Sequence, residues 1–178
     1  MAEAYGLDDE AMKALILGSY LHDIGKIAIS DTILLKPGKL SDDEMSVMKT
    51  HVQEGVEMVN GIAWLSDAKT VIEAHHEKWD GSGYPNHLIG AAIPVSARIF
   101  AIADVFDALC SKRPYKEPFS YEKAIAIIQE SQGSHFDPSL VTLFEVMSKG
   151  LYDTLLTADE AVCRALMTSK INKYFYNT

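Results

Sequence analysis

Ile93-Pro94-Val95-Ser96-Ala97-Arg98-Ile99-Phe100-Ala101-Ile102-Ala103-Asp104-Val105-Phe106-Asp107-Ala108-Leu109 reads as a helix by its spacing. Pro94 suits a first turn, where a missing amide proton costs nothing. Ile99, Ile102, Ala103, Phe106 and Leu109 then supply one buried stripe at helical period. Asp104 stands inside this apolar run. If buried, its carboxylate needs a cation or a dense set of donors.

The same period extends in both directions. Ala11, Leu15, Leu17 and Leu21 fall on or near one face of a helix that Asp8 or Asp9 caps. Ser41-Asp42-Asp43-Glu44 reads as a capping box opening a helix to about Val59. Another helix is expected over about residues 66–78, stopped by the glycines and proline of Asp80-Gly81-Ser82-Gly83-Tyr84-Pro85. Further helices are expected over about residues 120–132, closed by Gly133, and from the N-cap pair Asp137-Pro138 onward. Thr157-Ala158-Asp159-Glu160 reads as a second capping box, opening a helix to about Lys173. Strand alternation, internal repeats and low-complexity tracts are missing. The expected fold class is all-α.

Composition narrows the class of function. Of 178 residues, 48% are hydrophobic and 23% charged, which excludes dominant disorder. No apolar run approaches the ~18 residues that span a bilayer, so no membrane insertion is expected. Residues 1–9 carry no secretory signal. Cys110 and Cys163 form no CxxC pair and fit a reducing compartment, so the expected location is cytoplasmic. Sixteen Lys+Arg against 25 Asp+Glu give a net charge of −9. That balance argues against duplex nucleic acid as partner, but leaves room for one small anion at a locally positive site.

Four of the six histidines stand beside or among carboxylates on predicted helices. His22-Asp23 ends the first helix; alone, such a pair reads as surface or core packing more readily than as metal binding. His51 lies within the next helix, where a solvated ring is the plainer reading. His75-His76 closes Val71-Ile72-Glu73-Ala74-His75-His76-Glu77. Burying both without partners would cost several kcal/mol. Metal ligation would give each ring an acceptor role, with Glu73 or Glu77 bonded to its other nitrogen. Asp104 is the fourth element. Successive helices that each contribute an inward His or carboxylate are how helical bundles build dinuclear metal sites.

These residues resemble the HD-GYP family, a branch of the HD metal-dependent phosphohydrolases. The likeness runs from Tyr5 to Leu143. It includes His22-Asp23-Ile24-Gly25-Lys26, the loop from Ser30 to Leu40, Lys49-Thr50-His51, and the run from His75 to Pro85 with its Gly83-Tyr84-Pro85. It continues through Ile93-Pro94, Ala97-Arg98-Ile99, the segment Ala103–Leu109 and Arg113-Pro114-Tyr115-Lys116. The resemblance implies an HD-domain helical bundle with a metal site in its core, over residues 1–149, followed by a helical tail over 150–178. It implies a hydrolase that converts cyclic di-GMP to linear pGpG, and onward to GMP, by attack of a metal-activated hydroxide. The alternative is a non-catalytic module that binds a cyclic dinucleotide or a protein partner. A mixed guanine–adenine dinucleotide is a further substrate candidate.

By the same resemblance, His22, Asp23, His51, His75, His76 and Asp104 bind metal, with Asp23 bridging. His51, His75 and His76 hold one ion, and His22 and Asp104 the other. Lys26 contacts the scissile phosphate, and Arg113 and Lys116 clamp the substrate. Asp23, Lys26 and Asp107 make up the catalytic group, Asp107 through proton transfer or a ligand's outer contacts. Two divalent ions, or three, are implied, with iron or manganese ahead of other transition metals. Trp79 and Tyr115 are candidate stacking surfaces for guanine. Tyr84 is expected to stack or to bond a neighbour, and His87, His135 and Cys110 to be structural.

The family carries another metal-binding histidine upstream, which this chain lacks, so the chain is expected to begin inside the domain. The ion near His22 and Asp104 would then bind less tightly, and hydrolysis would be weak until the upstream helix is restored. An N-terminal sensor or receiver domain is implied by analogy. Val162, Leu166 and Ile171 suggest that the tail helix docks on the bundle or on a second copy, as in a homodimer.

Overall fold

The structure, a computed structural model, describes residues 1–112 and 117–176. Among these residues the chain folds into helices alone, with isolated bridges at Asp80–Ile89 and Gln132–Phe136 and no strand. The order is α1 (Ala2–Tyr5), α2 (Asp9–Leu21), a 3₁₀ turn (Ile24–Ala28), α3 (Asp31–Leu34), α4 (Asp42–Lys49) and α5 (His51–Val59). Then come α6 (Lys69–Ala74), α7 (Val95–Cys110), α8 (Tyr121–Glu130), α9 (Pro138–Thr157) and α10 (Glu160–Ile171). No helix among the described residues is long and apolar enough to cross a membrane.

The helix starts follow side-chain chemistry. Asp8 accepts the Ala11 amide at 2.8 Å, and Ser41 and Glu44 form both bonds of a capping box. Asp137 caps α9 with Pro138 in its first turn. The box expected at Thr157–Glu160 does not form. α9 runs through Thr157, whose hydroxyl bonds back to the Asp153 carbonyl, and Asp159 caps α10 instead.

Two other boundaries depart from the periodic reading. The helix expected over residues 42–59 is divided at Thr50 into α4 and α5, and that expected over 66–78 is only α6, ending at Ala74. Beyond it the buried Glu77 carboxylate accepts the amides of Asn86 and Leu88 at 2.7 and 3.0 Å. The His76 carbonyl accepts from the Tyr84 amide, so it is not available to the i+4 amide of a continuing helix. On α7, Ile99, Ile102 and Phe106 are buried as expected. Ala103 is exposed and Leu109 only partly covered.

One apolar cluster joins α7, α8 and α9 through Ile102, Phe106, Ile128, Phe136, Leu140 and Phe144, and also takes in Met12, Ala2 and Tyr174. A second joins Val56, Val59 and Ile72 to Leu17 and Leu21. α9 crosses residue 149 unbroken. α10 buries no residue, and Val162 and Leu166 stay exposed. Arg113, Tyr115 and Lys116, to which the sequence gives substrate contacts, lie outside the described residues.

The 3₁₀ turn lies directly against α5. A Cβ on Gly25 would fall 1.9 Å from the His51 carbonyl oxygen and 2.4 Å from the Gly55 nitrogen. Only glycine permits that approach, and it brings Asp23 and His51 to one place.

Candidate metal centre

His22 ends α2 and Asp23 begins the turn toward α5. His51 opens α5, and His75 and His76 follow the last turn of α6. One ligand atom from each of Asp23, His51, His75 and His76 lies within 4.8 Å of all the others. His51 and His75 are buried, and the other two are partly covered. The ring centroids of His75 and His76 are 4.0 Å apart, and His51 stands 5.2 Å from His76. His22 is beside this group, its ring 5.2 Å from His75 and its Nε2 3.2 Å from Asp23 Oδ2. Phe100 covers the His22 side at 4.8 Å.

The outer nitrogens fix the tautomers. His22, His51 and His75 each donate Nδ1–H to a backbone carbonyl three residues earlier, of Ser19, Met48 and Ile72, at 2.8, 2.7 and 2.9 Å. The His51 and His75 rings therefore present Nε2 as a lone pair toward the group, while His22 Nε2 faces the Asp23 carboxylate. Among the described residues, the Nε2 atoms of His51 and His75 are buried with no hydrogen-bond partner. Such atoms are costly unless something else binds them. The outer partners are thus carbonyls and not the expected Glu73 and Glu77. Glu77 pins residues 86–88, and Glu73 accepts from the Asn86 side chain.

Protonation follows from the same geometry. Burial pushes His75 down to about 4 and His76 to about 2, and lowers His51 as well. Burial alone would raise Asp23, but hydrogen bonds from His22 and Lys26 and their charges hold it well below the usual carboxylate range. Burial would likewise lower His22, yet Asp23 and the Ser19 carbonyl outweigh it and raise the ring. Neutral imidazoles around an ionised carboxylate, with no thiolate, make a donor set that fits a divalent transition metal.

The other expected residues take varied places. Lys26 Nζ is 2.6 Å from Asp23 Oδ2. Asp104 is partly buried, and its carboxylate is not part of the four-residue group, though its charge acts on His22. Burial raises its pKa. Asp107 is exposed, accepts the Ser111 hydroxyl at 2.9 Å, and lines a cavity of about 340 Å³ with Phe106, Phe144 and Tyr152. Trp79 is half-buried with Arg98 over its ring at 5.7 Å.

Tyr84 stacks on His76 at 4.7 Å, and Gly83 makes this possible. A Cβ there would lie 2.3 Å from the Lys78 nitrogen. Lys49 Nζ lies 5.0 Å from the Tyr84 ring centroid. The sequence carries one signal for that lysine, its place two residues before His51, and no role follows from it. His87 sits in a loop with φ 54°, and His135 stacks on Phe136. Cys110 is partly buried, and burial raises its thiol.

The HD domain family model matches residues 1–140. The cyclic di-GMP phosphodiesterase response regulator RpfG of Xanthomonas campestris is 48% identical over 143 residues, covering 79% of this chain and 38% of that protein. The 3'3'-cGAMP-specific phosphodiesterase 2 of Vibrio cholerae is 49% identical over 145 residues, covering 80% of this chain and 28% of its own. The chain thus spans well under half the length of these relatives. A crystal structure of a cyclic GMP-AMP specific phosphodiesterase of Vibrio cholerae superposes with a TM-score of 0.68 at 21% identity, over 93% of this chain and 45% of the other, and shows the same fold.

Proposed function

The chain belongs to the HD domain family, and from that premise we propose that it is the catalytic part of a metal-dependent phosphodiesterase that opens cyclic di-GMP to linear pGpG and then yields GMP. The observation that carries this reading is the pair of buried, unpartnered Nε2 atoms of His51 and His75 facing Asp23. Relatives named for cyclic di-GMP and for 3'3'-cGAMP, at 48% and 49% identity, support the substrate class.

Asp23, His51, His75 and His76 would hold one ion, and His22, Asp104 and the other side of Asp23 a second, iron or manganese in kind. The Asp23 carboxylate is arranged for such sharing. Its Oδ1 faces His51 Nε2 at 3.5 Å, while its Oδ2 faces His22 and Lys26. Bound divalent ions supply a nucleophile at neutral pH and positive charge for the phosphoryl oxygens.

The chain's own groups do the rest. Lys26 orients Asp23 through its 2.6 Å bond and offers its remaining protons to the scissile phosphate. Arg113 and Lys116 are assigned to the substrate's phosphates. Asp107, one helical turn from Asp104, is assigned to proton transfer or to a ligand's outer contacts. RpfG's name as a response regulator supports a receiver or sensor domain in the parent protein.

The test strips the protein with chelator, reloads it with manganese or ferrous iron, and supplies cyclic di-GMP and 3'3'-cGAMP separately. pGpG should form only in the reloaded protein, and His75→Ala should lower the rate by about a hundredfold or more, as loss of a group fixing the catalytic centre does. Tight binding of cyclic di-GMP without turnover by the reloaded wild type would instead support the non-catalytic module.

A further inference from the structure

We propose that Lys49 is a phosphate-binding residue of this site, held in place by Tyr84; the inference rests on the cyclic-dinucleotide reading above. Lys49 ends α4, and His51 opens α5 two residues later, so the helix junction at Thr50 ties the lysine to the metal centre. Its Nζ lies 5.0 Å from the Tyr84 ring, and that ring stacks on His76 at 4.7 Å. Tyr84 therefore links the ammonium group to a member of the His–Asp cluster.

A cation over a phenol ring at an exposed site is only weakly attracted. That is enough to bias the side chain toward the site and too little to satisfy three ammonium protons. Among the described residues no carboxylate pairs with Lys49. Lys26, Lys36, Lys149 and Lys173 each have one, at 2.6 to 2.8 Å. Lys26 in particular is held by Asp23. Lys49 is thus a cation joined to the cluster through Tyr84 whose charge is open to an incoming anion.

A cyclic dinucleotide carries two anionic phosphodiesters, and only one can react at the centre at a time. The ligand's other charge needs a counter-charge beside the cluster, on a protein whose net charge is −9. A lysine, as a flexible point charge, suits a phosphate whose orientation changes as the ring opens.

Calorimetric binding of a hydrolysis-resistant phosphorothioate analogue of cyclic di-GMP to the manganese-loaded chain tests this apart from turnover. Lys49→Gln should weaken Kd about tenfold, the size of one charge-assisted contact, and flatten its dependence on salt. Lys49→Arg should restore most of the affinity, and the manganese content of both variants should match wild type. Equal Kd and equal salt dependence for Lys49→Gln and wild type would overturn the proposal while leaving the hydrolase reading intact, as would absence of binding by a wild type that still turns over substrate. If the Lys49 effects appear without hydrolysis by the wild type, the hydrolase reading fails and Lys49 stands.

Discussion

Three histidines of the centre share one local device, an Nδ1–H bond to the carbonyl three residues back, which aims Nε2 inward. The ligand-type residues themselves were legible in the sequence, because adjacent His-Asp and His-His pairs on apolar helices stand out. The carbonyl partners were not. A backbone acceptor carries no residue signature, and Glu73 and Glu77 looked like better candidates until the loop at residues 86–88 claimed them.

Burial of these rings makes the metal-free protein acid-sensitive. His75 at about 4 and His76 at about 2 stay neutral where an unfolded histidine, near 6.5, takes up a proton. The unfolded state binds more protons below about pH 6.5, so stability falls as pH drops toward 4. Asp23, held low, adds to the loss below its ordinary carboxylate range. His22 opposes it, since its contribution is present in acid and lost as pH rises. The urea midpoint of chelator-treated protein should therefore fall steadily from pH 7 to pH 4.5. His75→Asn should make that slope shallower, and identical slopes for the two proteins would refute the assignment.

At the scale of elements, the centre depends on how closely the 3₁₀ turn approaches α5. Gly25→Ala puts a methyl group on the backbone of His51 and Gly55, neither of which can move without shifting α5. The variant should lose about 2–4 kcal/mol of stability, in the upper range for steric insertion into packed structure, and should bind less manganese than wild type. Gly150→Ala is the contrasting case. It lies within α9 with nothing inside 4 Å of a new Cβ, so it should gain about 0.5–1 kcal/mol. Paired denaturation curves showing both variants shifted the same way would remove the steric argument. The helix period located these elements but not the early end of α6. That end is set by bonds from Tyr84, Asn86 and Leu88, residues distant enough that spacing alone cannot register them.

On the scale of the whole molecule, the two ends of the described chain meet. Glu3 on α1 accepts from Lys170, Lys173 and the Tyr174 hydroxyl, and these bonds pull its carboxyl down to about 2. The Tyr174 ring is buried in the same cluster as Ala2 and Met12. Apolar periodicity over residues 162–171 points to α10 as a helix that docks on the bundle or on a second copy. Within the single chain that helix stays exposed, and the aromatic residue just after it is buried, a contact some 170 residues apart that no local pattern encodes. The two kinds of interaction should contribute unequally. Glu3, Lys170 and Lys173 are 41%, 50% and 57% exposed, so solvent screens each ion pair and it adds little stability despite its short distance. Removing the buried ring of Tyr174 forfeits its apolar contact and leaves a cavity, which costs about 3–5 kcal/mol by analogy with Phe→Ala. In urea, Tyr174→Ala should thus destabilise the chain more than the Lys170→Ala/Lys173→Ala double variant, and only the double variant should narrow its gap to wild type as salt rises. A larger loss from the lysines would mean that charge, and not the buried ring, fastens the tail to α1.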